Sequence, residues 1–153
     1  ELIIEGVPIG VGDPWFDGIE PSLSRGLMAI PGARAIEFSD GVRSSEMRGS
    51  ESNDMWLPGE GSPILEGAET GKADGALGGR STGAPIRVLV HFKPPSSFPR
   101  EQFTLHLPSN ERKELRVGGR HDPVIGPRAA PVVEAVAMLV ICDLGIIGGH
   151  LES

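Results

Sequence analysis

The stretch Pro131–Asp143 constrains this chain more than any other segment. It is helix-length and opens on a proline, which suits a first helical turn. It is apolar almost all the way round, with Glu134 its only interior charge. A helix that is apolar on every face has to be covered on every face. Several other segments read as strands, so the cover should be sheet. The expected fold is therefore α+β: a sandwich of antiparallel sheet layers around a central buried helix, in one domain spanning residues 1–153. Cys142 falls inside that helix and reads as a packing residue rather than a nucleophile.

The rest of the pattern is consistent with such layers. Leu2–Val7 reads as a short strand ended by a run rich in glycine and proline. Asp17–Ile30 reads as a helix, with Pro21 in its first turn and Leu23, Leu27 and Ile30 at helical spacing. Pro31 and Gly32 stop it. Ala33–Phe38 alternates like a strand, and Ser39-Asp40-Gly41 turns the chain. Pro85–Lys93 is the clearest strand: Ile86, Val88, Val90 and Phe92 share one face, and Arg87, Leu89, His91 and Lys93 the other. Phe103–Leu107 and Glu114–Val117 suggest a hairpin across Pro108–Lys113. Residues Ser44–Gly83 show no period and read as a long functional or mobile loop.

Charge and cysteine content exclude whole classes of function. With 14 Lys+Arg against 21 Asp+Glu, the net charge of −7 makes a general binder of nucleic acid or anionic membrane a poor expectation. A local anion site remains open, because a few cations and backbone N–H groups suffice for a phosphate. One cysteine cannot build a disulfide framework or a Cys-rich zinc module, and it fits a reducing compartment. His91, His106, His121 and His150 lack metal-ligand spacing, so no metal is expected. The longest unbroken apolar run, Ala135–Cys142, is far short of the ~20 residues that span a bilayer. Gly67–Ala73 fails as a P-loop, having three residues between its glycines where four are needed and Ala73 where a hydroxyl should hold magnesium. Gly75–Gly79 likewise fails as a dinucleotide fingerprint.

Four motifs carry chemistry. In Lys93-Pro94-Pro95-Ser96-Ser97 a strand ends in a cation, two prolines fix a turn and two hydroxyls follow; the group can converge on a phosphate. Taken alone, it reads first as a surface turn with a solvated lysine. In Gly118–Pro123, Arg120, His121 and Asp122 stand side by side before a rigid proline, and Arg128 continues the positive charge toward the helix start. Gly75–Gly83 crowds glycines just before a strand, which suits close approach to a flat group. Gly49–Asp54 reads as a polar surface turn.

Taken in order, GVPIGVGDPWFDG, AIPGARAIEFSDG, RGSESND, GALGGRSTGAPI, FKPPSS and GGRHDPVIGPRAAPVVEA resemble the C-terminal part of chorismate synthases, from Gly6 to about Leu144. The resemblance implies a lyase of aromatic amino acid biosynthesis. It would convert 5-enolpyruvylshikimate-3-phosphate to chorismate and phosphate by 1,4-elimination, using reduced FMN without net redox change. By position it implies FMN contacts at Pro31, Gly32, Gly78, Lys93, Pro94, Pro95, Ser96, Ser97 and Arg120. It also implies a proton-handling carboxylate at Asp122, which is expected beside Arg120. A cytoplasmic homotetramer, with no nucleic-acid, membrane or metal partner, is implied as well.

The chain opens at Glu1 directly into Leu2-Ile3-Ile4, so a fragment is expected, with the family's two histidines and most of its substrate-holding arginines in an absent N-terminal half. The alternative is a non-catalytic module that folds and at most binds a phosphate-bearing ligand. One departure stands out. Gly71-Lys72-Ala73-Asp74 replaces an Asn-rich, Ala-Gly-Gly stretch, so Asp74 brings negative charge toward the flavin region.

Overall fold

In chain order the computed structural model, which describes residues 1–67 and 73–152, contains β1 (Leu2–Ile4), a 3-10 turn (Trp15–Asp17), α1 (Ile19–Met28), β2 (Ala33–Phe38) and a second 3-10 turn (Gly41–Glu46). Short strands β3 (Trp56–Leu57), β4 (Ile64–Leu65), β5 (Ala76–Leu77) and β6 (Arg80–Ser81) follow. Then come β7 (Ile86–Phe92), β8 (Glu101–His106), β9 (Glu111–Arg116) and α2 (Gly126–Ile147). The architecture is the expected mixture of helices with antiparallel sheets. β7 is the middle strand of the main sheet, antiparallel to β1 on one side and β2 on the other. Its alternation works as the sequence predicts: Ile86 and Val88 are buried beneath the helices, whereas Leu89 and His91 face out.

Helix α1 forms because Ile19, Leu23 and Leu27 recur every four residues and make one stripe, and all three are fully buried. The stripe joins Ile4, Ala33, Ile86 and Val88 of the sheet and Val133, Ala137 and Leu144 of α2 in a single core. The helices can cross closely because α1 carries Gly26 at the contact: a Cβ there would sit 2.9 Å from Val140 Cγ2.

Helix α2 starts earlier than the sequence suggests, at Gly126, and Pro131 lies inside it. The first turn closes ahead of the proline, with the Arg128 and Ala129 amides both bonding to the Ile125 carbonyl. Pro131 therefore leaves only the Pro127 carbonyl without its helical partner. By length and composition α2 is long and apolar enough to cross a membrane. Ala129, Val133, Ala137, Leu144 and Gly145 are buried on one side, and Val132, Met138, Leu139 and Ile147 are exposed on the other. The expected cover on every face is thus supplied on one face by this chain. Cys142 is exposed rather than packed.

Among the described residues, 44–67 and 73–83 are more ordered than their composition predicts. β3 pairs with β4 and β5 with β6, and Leu65, Ala73 and Ala84 form a small second core. Two-residue strands are too short to show a period, so this order could not be read from the sequence. Gly71 and Lys72, half of the departing stretch, lie outside the described residues.

Candidate functional site

Antiparallel pairing of β2 with β7 puts Ala33 opposite Phe92, which sets the end of α1 beside the end of β7. The Lys93 amide donates to the Gly32 carbonyl at 2.9 Å. Pro31-Gly32 and Lys93-Pro94 are thereby held as one ledge. The Ile125 side chain comes from the C-terminal loop, with its Cδ1 3.8 Å from where a Cβ on Gly32 would be. Between Lys93-Pro94 and Pro123–Gly126 lies an open groove of about 460 Å³, walled by Val90, Phe92 and Ile125. Lys93 and Ser96 are exposed and Pro95 and Ser97 half-buried. Lys93 has no ion-pair partner among the described residues.

The loop leading into this groove differs from expectation in one contact. Asp122 pairs with Arg128, Oδ2 to Nη1 at 3.0 Å, and not with Arg120. Once α2 begins at Gly126, its first turn points Arg128 back toward Asp122. Arg120 is exposed and makes no ion pair among the described residues. A His121 Nε2 contact to the Gly118 carbonyl, 3.1 Å, closes the loop.

Gly78 stands elsewhere. Gly78 and Gly79, at φ 62° and 89°, form the tight turn between β5 and β6, which only residues tolerant of positive φ can make. The Gly79 carbonyl accepts the Ile19 amide at 2.9 Å and so caps the start of α1. Gly78 is therefore at one end of α1 and Gly32 beyond the other, and a ten-residue helix is about 15 Å long. The chain gathers Pro31, Gly32, Lys93, Pro94 and the Pro123–Gly126 segment, which the Arg120–Asp122 loop leads into, at one end and holds Gly78 at the other.

The Asp74 departure has a local explanation. Ser39 Oγ donates to Asp74 Oδ1, the Asp74 amide donates to Asp54 Oδ2 at 2.8 Å, and Thr82 Oγ1 donates to the Asp74 carbonyl at 2.7 Å. The carboxylate ties the glycine-rich stretch to the turn after β2. Burial first, and Asp74 second, pushes the Glu20 carboxyl above its ordinary value of 4.5. Asp54, expected in a polar surface turn, reaches Asp74 through a contact that spans 20 residues and has no local signal in the sequence.

On the outer face of the sheet, Glu37 Oε1 meets His91 Nε2 at 2.7 Å, and Glu37 Oε2 accepts the Val42 amide at 3.1 Å. The Val42 bond, then the His91 bond, hold the Glu37 carboxyl below its ordinary 4.5. A lowered acid stabilises the fold above its unfolded pKa and loses that contribution as pH falls through the folded one. Glu37→Gln should therefore melt below the unsubstituted chain at pH 7, and the gap should close in acid below about pH 4. Thermal melts across that range check it, and a gap that persists at pH 3 would contradict it.

Within the layered α+β fold, the cation-bearing turn at Lys93 and the Pro123–Gly126 segment that follows the Arg-His-Asp loop flank one apolar groove. The chorismate synthase family matches residues 1–146. Curated chorismate synthases are similar along nearly all of the chain. That of Aeropyrum pernix is 46% identical over 148 residues, 94% of this chain and 37% of the relative. That of Methanopyrus kandleri is 45% identical over 153 residues, 99% of this chain and 38% of the relative. A Methanococcus maripaludis chorismate synthase is 41% identical over 152 residues, 99% of this chain and 40% of the relative. A crystal structure of chorismate synthase shares the fold with a TM-score of 0.71 at 23% identity, covering 95% of this chain and 36% of the solved one. The chain belongs to the chorismate synthase family, and it spans about two fifths of the length of the curated relatives it matches.

Proposed function

We propose that this chain supplies part of the flavin site of an enzyme that eliminates phosphate from 5-enolpyruvylshikimate-3-phosphate to form chorismate. The observation that carries this reading is the ledge: Lys93 is pinned to Gly32 through its amide, with its ammonium unpaired among the described residues, at the mouth of an apolar groove. That donor set fits reduced FMN. Phe92 and Ile125 offer an apolar wall to a flat ring and Lys93 a cation to a phosphate, and Ser96 and Ser97, three and four residues on in the same turn, carry the hydroxyls proposed to join it. Pro31, Pro94, Pro95, Gly78 and Arg120 are the further proposed contacts. When bound, reduced FMN supplies electron density that helps the carbon–oxygen bond to phosphate break.

The protein's own part is binding, orientation and proton handling. Lys93 offsets phosphate charge. Asp122 holds or accepts a proton, and Arg128 keeps its carboxylate aimed. Residues 1–153 act as one domain, supported by the core that α1, α2 and the main sheet share. We place the assembled protein in the cytoplasm as a homotetramer, without nucleic-acid or membrane partners.

The test is direct. The native polypeptide that carries this chain, supplied with reduced FMN and 5-enolpyruvylshikimate-3-phosphate, should release chorismate and phosphate one for one. Flavin binding without chorismate would favour the non-catalytic reading. Failure to bind flavin at all would overturn the proposal.

A further inference from the structure

We propose that Asp74 is a positioning residue for the flavin: it holds strand β5 in place, so that Gly78, at the end of that strand, stands where the ligand meets it. The inference rests on the reading of Gly78 as a flavin contact. The sequence casts Asp74 the other way, as a negative charge brought toward the flavin region. The structure gives the side chain a different use. Asp74 Oδ1 accepts the Ser39 hydroxyl from the turn after β2, and the Asp74 amide donates to Asp54 Oδ2 at 2.8 Å. The Thr82 hydroxyl donates to the Asp74 carbonyl at 2.7 Å, and the Thr82 amide to the Gly75 carbonyl at 3.1 Å. Residues from the turn after β2, the stretch before β3 and the end of β6 thus meet on one residue at the base of the β5–β6 hairpin.

The two strands of this hairpin are not held alike. β6 is fastened to the body directly. The Ser81 amide donates to the Val11 carbonyl at 2.9 Å, the Ser81 carbonyl accepts the Gly10 amide at 2.9 Å, and the Ser81 hydroxyl accepts the Val11 amide at 2.8 Å. β5 is two residues long and, among the described residues, pairs with β6 alone. The bonds to Ser39 and Asp54 that tie its leading end to the rest of the fold both run through Asp74. Gly78 follows β5 directly, so a shift of β5 is carried to it. The negative charge is not what this bridge uses, because Asp74 faces Glu20, whose carboxyl is pushed up by burial and then by Asp74. The bridge needs an acceptor oxygen, and an asparagine side chain supplies one too.

Binding of reduced FMN to the native polypeptide, well below its melting temperature, tests this with the variants Asp74→Ala, Ser39→Ala and Asp74→Asn. Asp74→Ala and Ser39→Ala should each raise Kd about fivefold, the worth of one net hydrogen bond. Their double variant should bind no worse than either, since both remove the same contact. Asp74→Asn should bind like the unsubstituted protein. A charge that merely repels the flavin gives the opposite signs: Asp74→Ala and Asp74→Asn would both bind more tightly, and Ser39→Ala would change nothing. Amide hydrogen exchange without ligand gives a readout independent of flavin. Asp74→Ala should speed exchange of the Thr82 amide, which bonds to Gly75, and leave the Ser81 amide, which bonds to Val11, unchanged. An unchanged Thr82 amide, or an Asp74→Ala variant that binds FMN as tightly as the unsubstituted protein or more so, would overturn the proposal. An unsubstituted protein that binds no FMN would instead overturn the flavin reading, and this proposal with it.

Discussion

Asp122→Asn in the native polypeptide is expected to slow turnover by about 100-fold or more while leaving FMN affinity within about twofold. The substitution keeps the shape of the side chain and removes its capacity to hold a proton. General acid–base groups typically contribute ~10²–10⁴-fold to rate. The pairing with Arg128 sharpens the prediction. Both partners are largely open to solvent, 37% exposed at Asp122 and 72% at Arg128, so the lost ion pair costs little stability, within about 1 kcal/mol. A purely structural Asp122 behaves differently: loosening the loop would disturb the groove, and binding would weaken together with turnover. Measuring FMN affinity and kcat on one variant separates the two. Normal values of both would remove Asp122 from the site.

The second large effect concerns adjacent glycines with opposite roles. Gly79→Ala should destabilise the fold by roughly 3 kcal/mol, combining the cost of a side chain at positive φ with overpacking. The cause is backbone against backbone: a Cβ at Gly79 would sit 2.4 Å from the Asp13 carbonyl oxygen, which cannot swing away. Gly78 has a φ of 62° yet open space around it, so Gly78→Ala should cost only about 1 kcal/mol. If Gly78 lies against the flavin in the assembled protein, its alanine variant folds but binds FMN more weakly. Chemical denaturation of both variants checks the pair, and equal stability losses would contradict the packing described for this turn.

Much of the fold was legible because its signals are local. The stripe of Leu23 and Leu27, the alternation along β7 and the strand Ala33–Phe38 are periods that burial of one face imposes on a sequence. Both ends of α2 were misplaced for an equally physical reason. A proline reads as a helix start, but Pro131 is tolerated inside because a turn anchored at Ile125 forms ahead of it. The small ladders between residues 56 and 81 escaped notice because two residues cannot display a period. At the site, the Lys93 turn and the Gly118–Pro123 loop were visible as residue types. Their partners were not. Gly32 to Lys93, Asp122 to Arg128 and Asp54 to Asp74 are contacts between elements, fixed by register and helix start rather than by neighbours in the chain.

The reading rests most heavily on Lys93, and equilibrium binding of reduced FMN to the native polypeptide and to its Lys93→Ala variant tests it most directly. A charge-assisted contact to phosphate contributes ~1.5–3 kcal/mol, so Kd should rise by roughly tenfold or more, with the melting temperature of the unliganded protein unchanged because Lys93 is exposed and unpaired among the described residues. An unchanged Kd would contradict the assignment of the ledge as the seat of the flavin phosphate.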